Sequence, residues 1–218
     1  MTSPIRSVAL FGASGLVGGH CLRELSARPS LERILVVGRR PLPAEERPDD
    51  GRIVEHIIDF DNLSGHAQSV RADAVICALG TTIKKAGSKE RFRQVDLGYP
   101  FAIARLALQE GARHFLLVSA LGADASSRIF YNRVKGELEE SILALPYEAV
   151  TIVRPSLLLG ERDEFRLGES VASRLSFLFP KRHRPVQARS VAAALVDQLP
   201  RSTGHRILES AEIRSAFE

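Results

Sequence analysis

The sequence predicts an α/β fold: a doubly wound parallel sheet of the Rossmann type, with helices on both faces. Short apolar runs alternate with longer amphipathic stretches, which is the pattern of strands joined by crossover helices. The runs are apolar at nearly every position, as expected for strands that are buried on both faces. A glycine-rich turn follows the first run, at the place where such folds bind a dinucleotide.

The predicted elements follow one another in regular alternation. Strands are expected at residues 7–11, 33–37, 54–58, 74–78, 114–119 and 149–154, with a last short strand at 205–209. Helices are expected at residues 16–27, 91–110, 129–145 and 190–198, where the sequence is amphipathic. Residues 40–52 contain three prolines and two pairs of adjacent acidic residues, so they are predicted to form an exposed loop.

The length of the chain indicates its domain organisation. With 218 residues it lies within the size range of one large domain, and we expect a single domain over residues 1–218. Within it, residues 155–190 are expected to form a small C-terminal segment that covers the substrate. They follow the sixth strand and combine charged residues with an apolar helix near residues 171–179.

Composition and charge exclude several classes of partner. The formal net charge is +4, but the basic residues are scattered, and the cluster from Lys181 to Arg184 is better explained as an exposed turn than as a nucleic-acid surface. No apolar run reaches the roughly 18 residues that a membrane span needs, and Gly12, Ser14 and Gly15 interrupt the one stretch that resembles a secretory signal. We therefore expect a cytoplasmic protein that acts on a small-molecule substrate, and its oligomeric state stays open.

The cysteines and histidines do not form a metal-binding pattern. Cys21 falls in a predicted helix and Cys77 in a predicted strand, and the six histidines are dispersed along the chain. Zinc sites need ligands at short, regular spacings, and no such spacing occurs. We expect two buried thiols in a reducing compartment, and no metal.

The glycine-rich turn is the first candidate binding element. Glycine is needed at such a turn because a positive φ and a close approach of the backbone exclude a side chain. The helix that follows directs its free N–H groups toward a pyrophosphate. The turn has the spacing G-x-x-G-x-x-G and consists of Gly12, Ala13, Ser14, Gly15, Leu16, Val17 and Gly18.

The residues after the second predicted strand favour NADP(H) over NAD. The acidic residue that grips the adenosine ribose of NAD lies about 20 residues beyond the last glycine of such a turn. Gly38 occupies that position, and Arg39 and Arg40 follow it. Because guanidinium groups pair bidentately with phosphate, the missing carboxylate and the added cations both favour a ribose 2′-phosphate.

Two further strand ends offer weaker candidates for cofactor binding. Asp59 and Phe60 follow the third predicted strand, where a carboxylate can accept a hydrogen bond from the adenine amino group. Gly80, Thr81 and Thr82 follow the fourth, where glycine lets the backbone approach the second ribose. Either group is equally well explained as an ordinary turn.

Ser119, Tyr131 and Lys135 form the candidate catalytic group. Tyr131 and Lys135 are four residues apart on a predicted helix, so they share one face and their polar ends can meet. Ser119 ends the fifth predicted strand, at the same edge of the sheet as the glycine-rich turn. A core tyrosine with a lysine that extends to solvent remains the alternative explanation.

These motifs resemble those of the short-chain dehydrogenase/reductase superfamily. Within it, the sequence is most similar to the atypical, NADPH-binding group that includes the human Tat-interacting protein and its bacterial relatives. The similarity extends over nearly the whole chain. It is carried by residues 12–18, Val37-Gly38-Arg39-Arg40, Ala78-Leu79-Gly80-Thr81-Thr82, Val95-Asp96, residues 117–124, residues 131–137 and Val153-Arg154-Pro155-Ser156.

The resemblance implies a role for each matching residue. Tyr131 would be the catalytic acid and base, Lys135 would activate it and bind the nicotinamide ribose, and Ser119 would donate a hydrogen bond to the substrate oxygen. Ala78 and Leu79 would lie with the other cofactor-binding residues. Pro155 and Ser156 would lie against the nicotinamide.

Two positions depart from the pattern of the superfamily. Many relatives carry a second serine where this chain has Ala120, so Ser126 or Ser127 would have to replace that hydroxyl if the second serine is the working one. Asp96 stands where many of the enzymes have an asparagine that supports a proton relay. Both departures bear on whether the chain is catalytic.

The sequence therefore predicts an NADPH-dependent oxidoreductase that acts on a carbonyl or alcohol of a small organic substrate. The alternative is a protein that binds NADPH and regulates a partner, with weak or no catalysis. A nucleotide-sugar epimerase shares the glycine-rich turn, but it needs a larger substrate lobe than the short chain beyond Arg154 offers. A serine hydrolase is excluded because residues 12–15 lack the G-x-S-x-G spacing.

Overall fold

A computed structural model of the protein describes residues 4–159, 184–201 and 203–218. Its main sheet has seven parallel strands, which we number with the two strands of a smaller sheet in chain order. The main strands are β1 (Ser7–Phe11), β2 (Arg33–Gly38), β3 (Ile53–Ile57), β4 (Ala74–Cys77), β5 (His114–Val118), β6 (Ala149–Arg154) and β9 (Gly204–Glu209). The smaller sheet pairs β7 (Leu158–Leu159) with β8 (Val186–Gln187).

The order of the strands confirms the predicted fold class. Across the sheet the strands follow one another as β3-β2-β1-β4-β5-β6-β9, and all neighbours are parallel. The chain winds from β1 to one edge, returns, and winds to the other edge from β4. A crevice opens between the carboxyl ends of β1 and β4, where the winding reverses, and doubly wound sheets bind their ligands at such a point.

Helices cover both faces of the sheet. The α-helices are α1 (Leu16–Ser26), α2 (Ile83–Ala86), α3 (Lys89–Arg93), α4 (Tyr99–Gln109), α5 (Phe130–Leu143), α6 (Ala188–Asp197) and α7 (Ser210–Phe217). Alternate residues of β1 point to opposite faces. Val8 and Leu10 join a core with α1, α6 and α7, whereas Ala9 and Phe11 join a second core with α4 and α5.

The single helix predicted at residues 91–110 is wrong, because the structure divides it. Helix α3 ends at Arg93, a π-type turn spans Gln94–Gly98, and α4 begins at Tyr99. Pro100 explains the break, since it has no N–H to donate to the carbonyl four residues earlier. Turns of this kind occur often at functional sites, and this one carries the buried Asp96.

The other predicted elements shift by at most two residues at each end. Five elements of the described residues were absent from the prediction: the C-terminal helix α7, the short helix α2, a distorted 3-10 segment at Phe60–Val70, and the short strands β7 and β8. The loop predicted at residues 40–52 contains one 3-10 turn, Ala44–Glu46. Cys21 and Cys77 are buried thiols, as expected, and burial raises the pKa of each to about 12.

Part of the segment that was predicted to cover the substrate lies outside the described residues. This part includes the helix expected near residues 171–179 and the basic residues 181–183. In the described ranges, no helix is long and apolar enough to cross a membrane. The same ranges contain no group of three or more histidine, cysteine, aspartate or glutamate residues placed to hold a metal ion.

Candidate active site

The glycine-rich turn joins β1 to α1 at the carboxyl edge of the sheet. Gly12 has a φ of +85°, and the Gly15 N–H donates to its carbonyl oxygen at 2.7 Å. A Cβ atom at Gly12 would lie 2.6 Å from the carbonyl oxygen of Ala78, and one at Gly18 would lie 2.0 Å from that of Gly12. The turn therefore folds tightly onto β4 and onto its own helix, and it leaves its outer side open to a ligand.

Gly18→Ala should destabilise the protein by about 2 kcal/mol and abolish nucleotide binding, because the new methyl group displaces the backbone of the turn. Gly19→Ala is the matched control: its Cβ would approach no atom closer than 3.4 Å, to the Ala13 carbonyl oxygen. Urea denaturation and dinucleotide titration of both variants test this prediction. Equal unfolding free energies and equal dinucleotide affinities of the two variants would contradict it.

A cavity of about 250 Å³ extends from the turn to the end of β2. It brings together residues that are distant in the sequence, and seven of them were predicted to bind the cofactor. Hydrophobic and backbone groups of β2 and Leu42 complete it. The predicted residues that line it are Gly12, Ala13, Ser14, Arg39, Arg40, Phe60 and Leu79.

Arg39 and Arg40 are both exposed at the mouth of this cavity. The guanidinium carbon of Arg39 lies 6.0 Å from the centre of the buried Phe60 ring, a distance at which the ring attracts a cation. Asp59 is exposed, and its carboxylate accepts a hydrogen bond from the Asp61 N–H at 3.0 Å. Asp59 therefore caps the 3-10 segment and does not line the cavity.

The residues after β4 lead from this cavity toward the candidate catalytic group. The Ala78 N–H donates to the Phe11 carbonyl oxygen at 2.9 Å, which continues the sheet for one residue. Gly80 lies beside Asp96, and the Thr81 N–H donates to the Asp96 carboxylate at 2.8 Å. Thr82 caps α2 with its side chain.

Lys135 and Asp96 form a buried ion pair, with 2.7 Å between Nζ and Oδ1. Their residues are 3% and 1% exposed. Burial of the ammonium group opposes its charge, but attraction to Asp96 and to the nearby Tyr131 outweighs burial, and the pKa of Lys135 lies above its ordinary value. Asp96 thus holds a charged lysine in place, which is a different role from the relay of the asparagine that it replaces.

Tyr131 lies half-buried in the first turn of α5, one helical turn before Lys135. Its ring packs against Phe92, with 5.5 Å between the ring centres. The predicted pairing of these two side chains on one helix face is consistent with their electrostatic interaction. The phenol therefore lies within electrostatic range of the charge that Asp96 holds on Lys135.

Ser119 follows β5 at this edge, but its hydroxyl group donates to the carboxylate of Glu139. Both residues are buried, at 5% and 3% exposed. Arg154 holds the same carboxylate with two nitrogen atoms, at 2.6 and 3.1 Å from Glu139 Oε2. The one hydrogen of the Ser119 hydroxyl is thus committed to Glu139, and it can reach a substrate oxygen only if this bond breaks.

The two serines that could substitute for Ser119 are also engaged. Ser126 is exposed and donates to the Asp124 carboxylate at 2.7 Å. The hydroxyl oxygen of Ser127 accepts from the Ile129 N–H at 3.2 Å, just before α5, and its own hydrogen stays available. Ala120 is buried and offers no polar group.

Pro155 and Ser156, which follow β6, are held by the protein itself. The buried Pro155 accepts a hydrogen bond from the Leu121 N–H at 2.8 Å. Ser156 donates to the Arg184 carbonyl oxygen and accepts from the Ser210 hydroxyl group at 2.8 Å. These bonds tie the end of β6 to the start of α7.

Sequence reasoning missed Glu139 as a member of this site. The signal was present, since Tyr131, Lys135 and Glu139 recur at intervals of four and so share one face of α5. Phe92 was missed because it lies in a helix that the prediction merged with its neighbour. Its contact with Tyr131 depends on the turn between α3 and α4.

Known proteins are similar to this chain in sequence or in fold. The chain matches the model of a family described as NAD(P)H-binding over residues 12–202. It is 37% identical to protein HTATIP2 of Rattus norvegicus over 168 residues, which make up 77% of this chain and 69% of the relative. It is 36% identical to the mitochondrial protein FMP52 of Candida albicans over 176 residues, which make up 76% and 73% of the two chains. The fold is similar to that of WbmG from Bordetella bronchiseptica in complex with NAD, with a TM-score of 0.71 at 14% identity, over 99% of this chain and 76% of that one.

Proposed function

Because this chain belongs to the NAD(P)H-binding family, together with HTATIP2 and FMP52 proteins, we propose that it is an NADPH-dependent oxidoreductase. It would transfer a hydride between the nicotinamide and a carbonyl or alcohol of a small organic substrate. One observation carries the proposal: the glycine-rich turn, the paired Arg39 and Arg40, and the group of Tyr131 and Lys135 all lie along the carboxyl edge of one parallel sheet.

The residues at this edge fit the proposed cofactor. The turn at Gly12 leaves backbone N–H groups at the start of α1 for a pyrophosphate. Phe60 and Leu79 line the neighbouring cavity with apolar surface, as the adenine ring requires. Arg39 and Arg40 would hold the 2′-phosphate, and Lys135 would bind the nicotinamide ribose.

Tyr131 would do the proton chemistry of this reaction. The bound cofactor supplies or accepts the hydride. In reduction, the phenol gives its proton to the substrate oxygen as the carbonyl becomes an alcohol, and in oxidation the phenolate takes that proton back. Lys135 keeps a positive charge beside the phenolate, and Asp96 keeps the lysine from moving.

Turnover with a panel of aldehydes and ketones tests the proposed function directly. The purified chain should oxidise NADPH with at least one compound of the panel, and faster than it oxidises NADH. Consumption of cofactor and formation of alcohol should agree in amount. If NADPH fails to bind at all, the proposed function is wrong.

The preference for NADPH should depend on the two arginines at the cavity mouth. Replacing Arg39 and Arg40 together by serine should weaken NADPH binding about tenfold, since each exposed contact contributes about 0.5–1 kcal/mol after screening. NADH binding should not change. Arg47→Ser is the matched control, because Arg47 is an exposed arginine of the following loop that does not line the cavity. Equal loss of NADPH affinity in the control would contradict the assignment.

A second candidate function is an NADPH-binding regulator with weak or no turnover. It is favoured by the bond from Ser119 to Glu139 and by Ala120, because the first engages the hydroxyl hydrogen of Ser119 and the second removes the neighbouring hydroxyl group. Tight NADPH binding without turnover of any carbonyl compound would support this candidate over the enzyme.

The location in the cell is also part of the proposal. We propose the cytoplasm, although the Candida albicans relative is named mitochondrial. Fractionation of cells that express the tagged chain tests this, and recovery of the chain in an organelle or membrane fraction would overturn it.

A further inference from the structure

A second cavity of about 320 Å³ opens at the opposite edge of the sheet. Its lining includes His114, the first residue of β5, and Glu148, which precedes β6. The strands between the two edges are four to six residues long, so this cavity lies roughly 16 Å from the cofactor edge. We propose that it binds a second ligand, a small organic carboxylate with an apolar body.

The wall of the cavity is mostly apolar. Ile5, Leu31 and Leu199 line it, together with Pro4 and Pro200. Leu31 and Leu199 also belong to the core between α1 and α6, so this wall is fixed by packing. A volume near 300 Å³ is at the lower end of the range for small-molecule sites, and it suits a ligand with a short hydrocarbon chain.

The charged groups of the lining favour an anion. Arg28, Arg113 and Arg201 contribute three guanidinium groups, against the single carboxylate of Glu148. Arg28 lies 4.0 Å from Asp197, which is long for an ion pair, and Arg201 donates to Gln198 at 3.4 Å. Arg28 and Arg201 therefore keep donors available for a carboxylate at the mouth.

His114 belongs to the same lining but adds no positive charge to it. The residue is 1% exposed, and its Nε2 lies 3.0 Å from the Thr151 hydroxyl oxygen. Burial lowers the pKa of His114 to about 4, although a backbone hydrogen bond with Leu199 acts in the opposite direction, so the ring is neutral at pH 7. The guanidinium groups are therefore the groups of this lining that would bind an anion. The lining thus offers an apolar wall and two guanidinium groups to the same small molecule.

Calorimetric titration with octanoate, octanol and octylamine tests the proposal, because the three probes share one chain and differ in the head group. Octanoate should bind, octanol should bind about tenfold more weakly, and octylamine should not bind. Saturation with NADPH should leave octanoate binding unchanged, because the two cavities lie at opposite edges. Displacement of octanoate by NADPH, or equal binding of octanoate and octanol, would overturn the proposal.

Two substitutions in the lining test the site, one by removing a charge and one by filling the cavity. Arg201→Gln removes a charge and should weaken octanoate binding about tenfold, whereas Arg105→Gln, at an exposed position on α4, should not. Ser30→Trp places a large side chain at the mouth and should abolish octanoate binding. NADPH affinity should be normal in all three variants, which verifies that they are folded. If Ser30→Trp binds octanoate with unchanged affinity, octanoate binds outside this cavity and the proposal is wrong.

Discussion

Tyr131→Phe should lower NADPH-dependent turnover about 10³-fold, since a positioned general acid contributes roughly 10²- to 10⁴-fold to such reactions. The substitution removes the phenolic oxygen and keeps the ring that packs against Phe92. Stability and NADPH affinity should therefore change little. Steady-state rates with the best carbonyl substrate, measured at saturating NADPH, give the comparison with the unaltered chain.

Tyr147→Phe is the control for this prediction. Tyr147 is buried on the same side of the sheet, and its hydroxyl group donates to the Ala104 carbonyl oxygen at 2.6 Å. The control should lose about 1 kcal/mol of stability and keep its turnover. Retention of full activity in Tyr131→Phe would remove Tyr131 from the mechanism. Tight NADPH binding by a chain that shows no turnover even before substitution would favour the regulatory function.

The parts of the fold that local sequence determines were predictable. Most strands of the main sheet are runs of apolar residues that need no distant partner to be recognised, and each strand of this sheet was placed to within two residues. The glycine-rich turn was equally local, because its constraint is steric. The helix predicted at residues 91–110 was wrong for a local reason too, since the effect of Pro100 on the preceding turn was overlooked.

The contacts that set the chemistry were less predictable, because they join residues that are far apart in the chain. Asp96 reaches Lys135 across the interface of two helices, and periodicity does not encode the direction of that carboxylate. The bond from Ser119 to Glu139 depends on how α5 packs against the end of β5. The spacing of Tyr131 and Lys135 predicted that they share one face of the helix. It did not predict that Lys135 pairs with Asp96.

Asp96→Asn should have the largest effect on stability, about 3–5 kcal/mol at pH 7, because it leaves the buried ammonium group of Lys135 without its counter-charge. The amide has the size of the carboxylate and retains an oxygen for the Thr81 N–H. Loss of packing therefore cannot explain a large effect. Asp49→Asn, at an exposed loop position, makes the same change of charge and should cost almost nothing.

The loss in Asp96→Asn should shrink as the pH rises. In the unaltered chain the pKa of Lys135 is raised, so the stability that the charged lysine contributes is complete below its unfolded pKa of about 10.5 and is lost only at higher pH. In the variant, burial is no longer opposed and the folded pKa falls. The unfolded state then binds more protons than the folded state, and stability increases with pH up to that same unfolded value.

Urea denaturation at pH 7 and pH 9.5 measures both effects. The difference in unfolding free energy between the two proteins should be large at pH 7 and smaller at pH 9.5. The double variant Asp96→Asn/Lys135→Met should be less destabilised than the two single changes predict by addition, because it removes both charges of the pair together. The prediction would be contradicted if the difference in unfolding free energy were the same at both pH values and the effects of the two single substitutions were additive in the double variant. Asp96 and Lys135 would then be neighbours whose charges do not stabilise each other. Lys135 would then depend on some other group for its charge beside Tyr131.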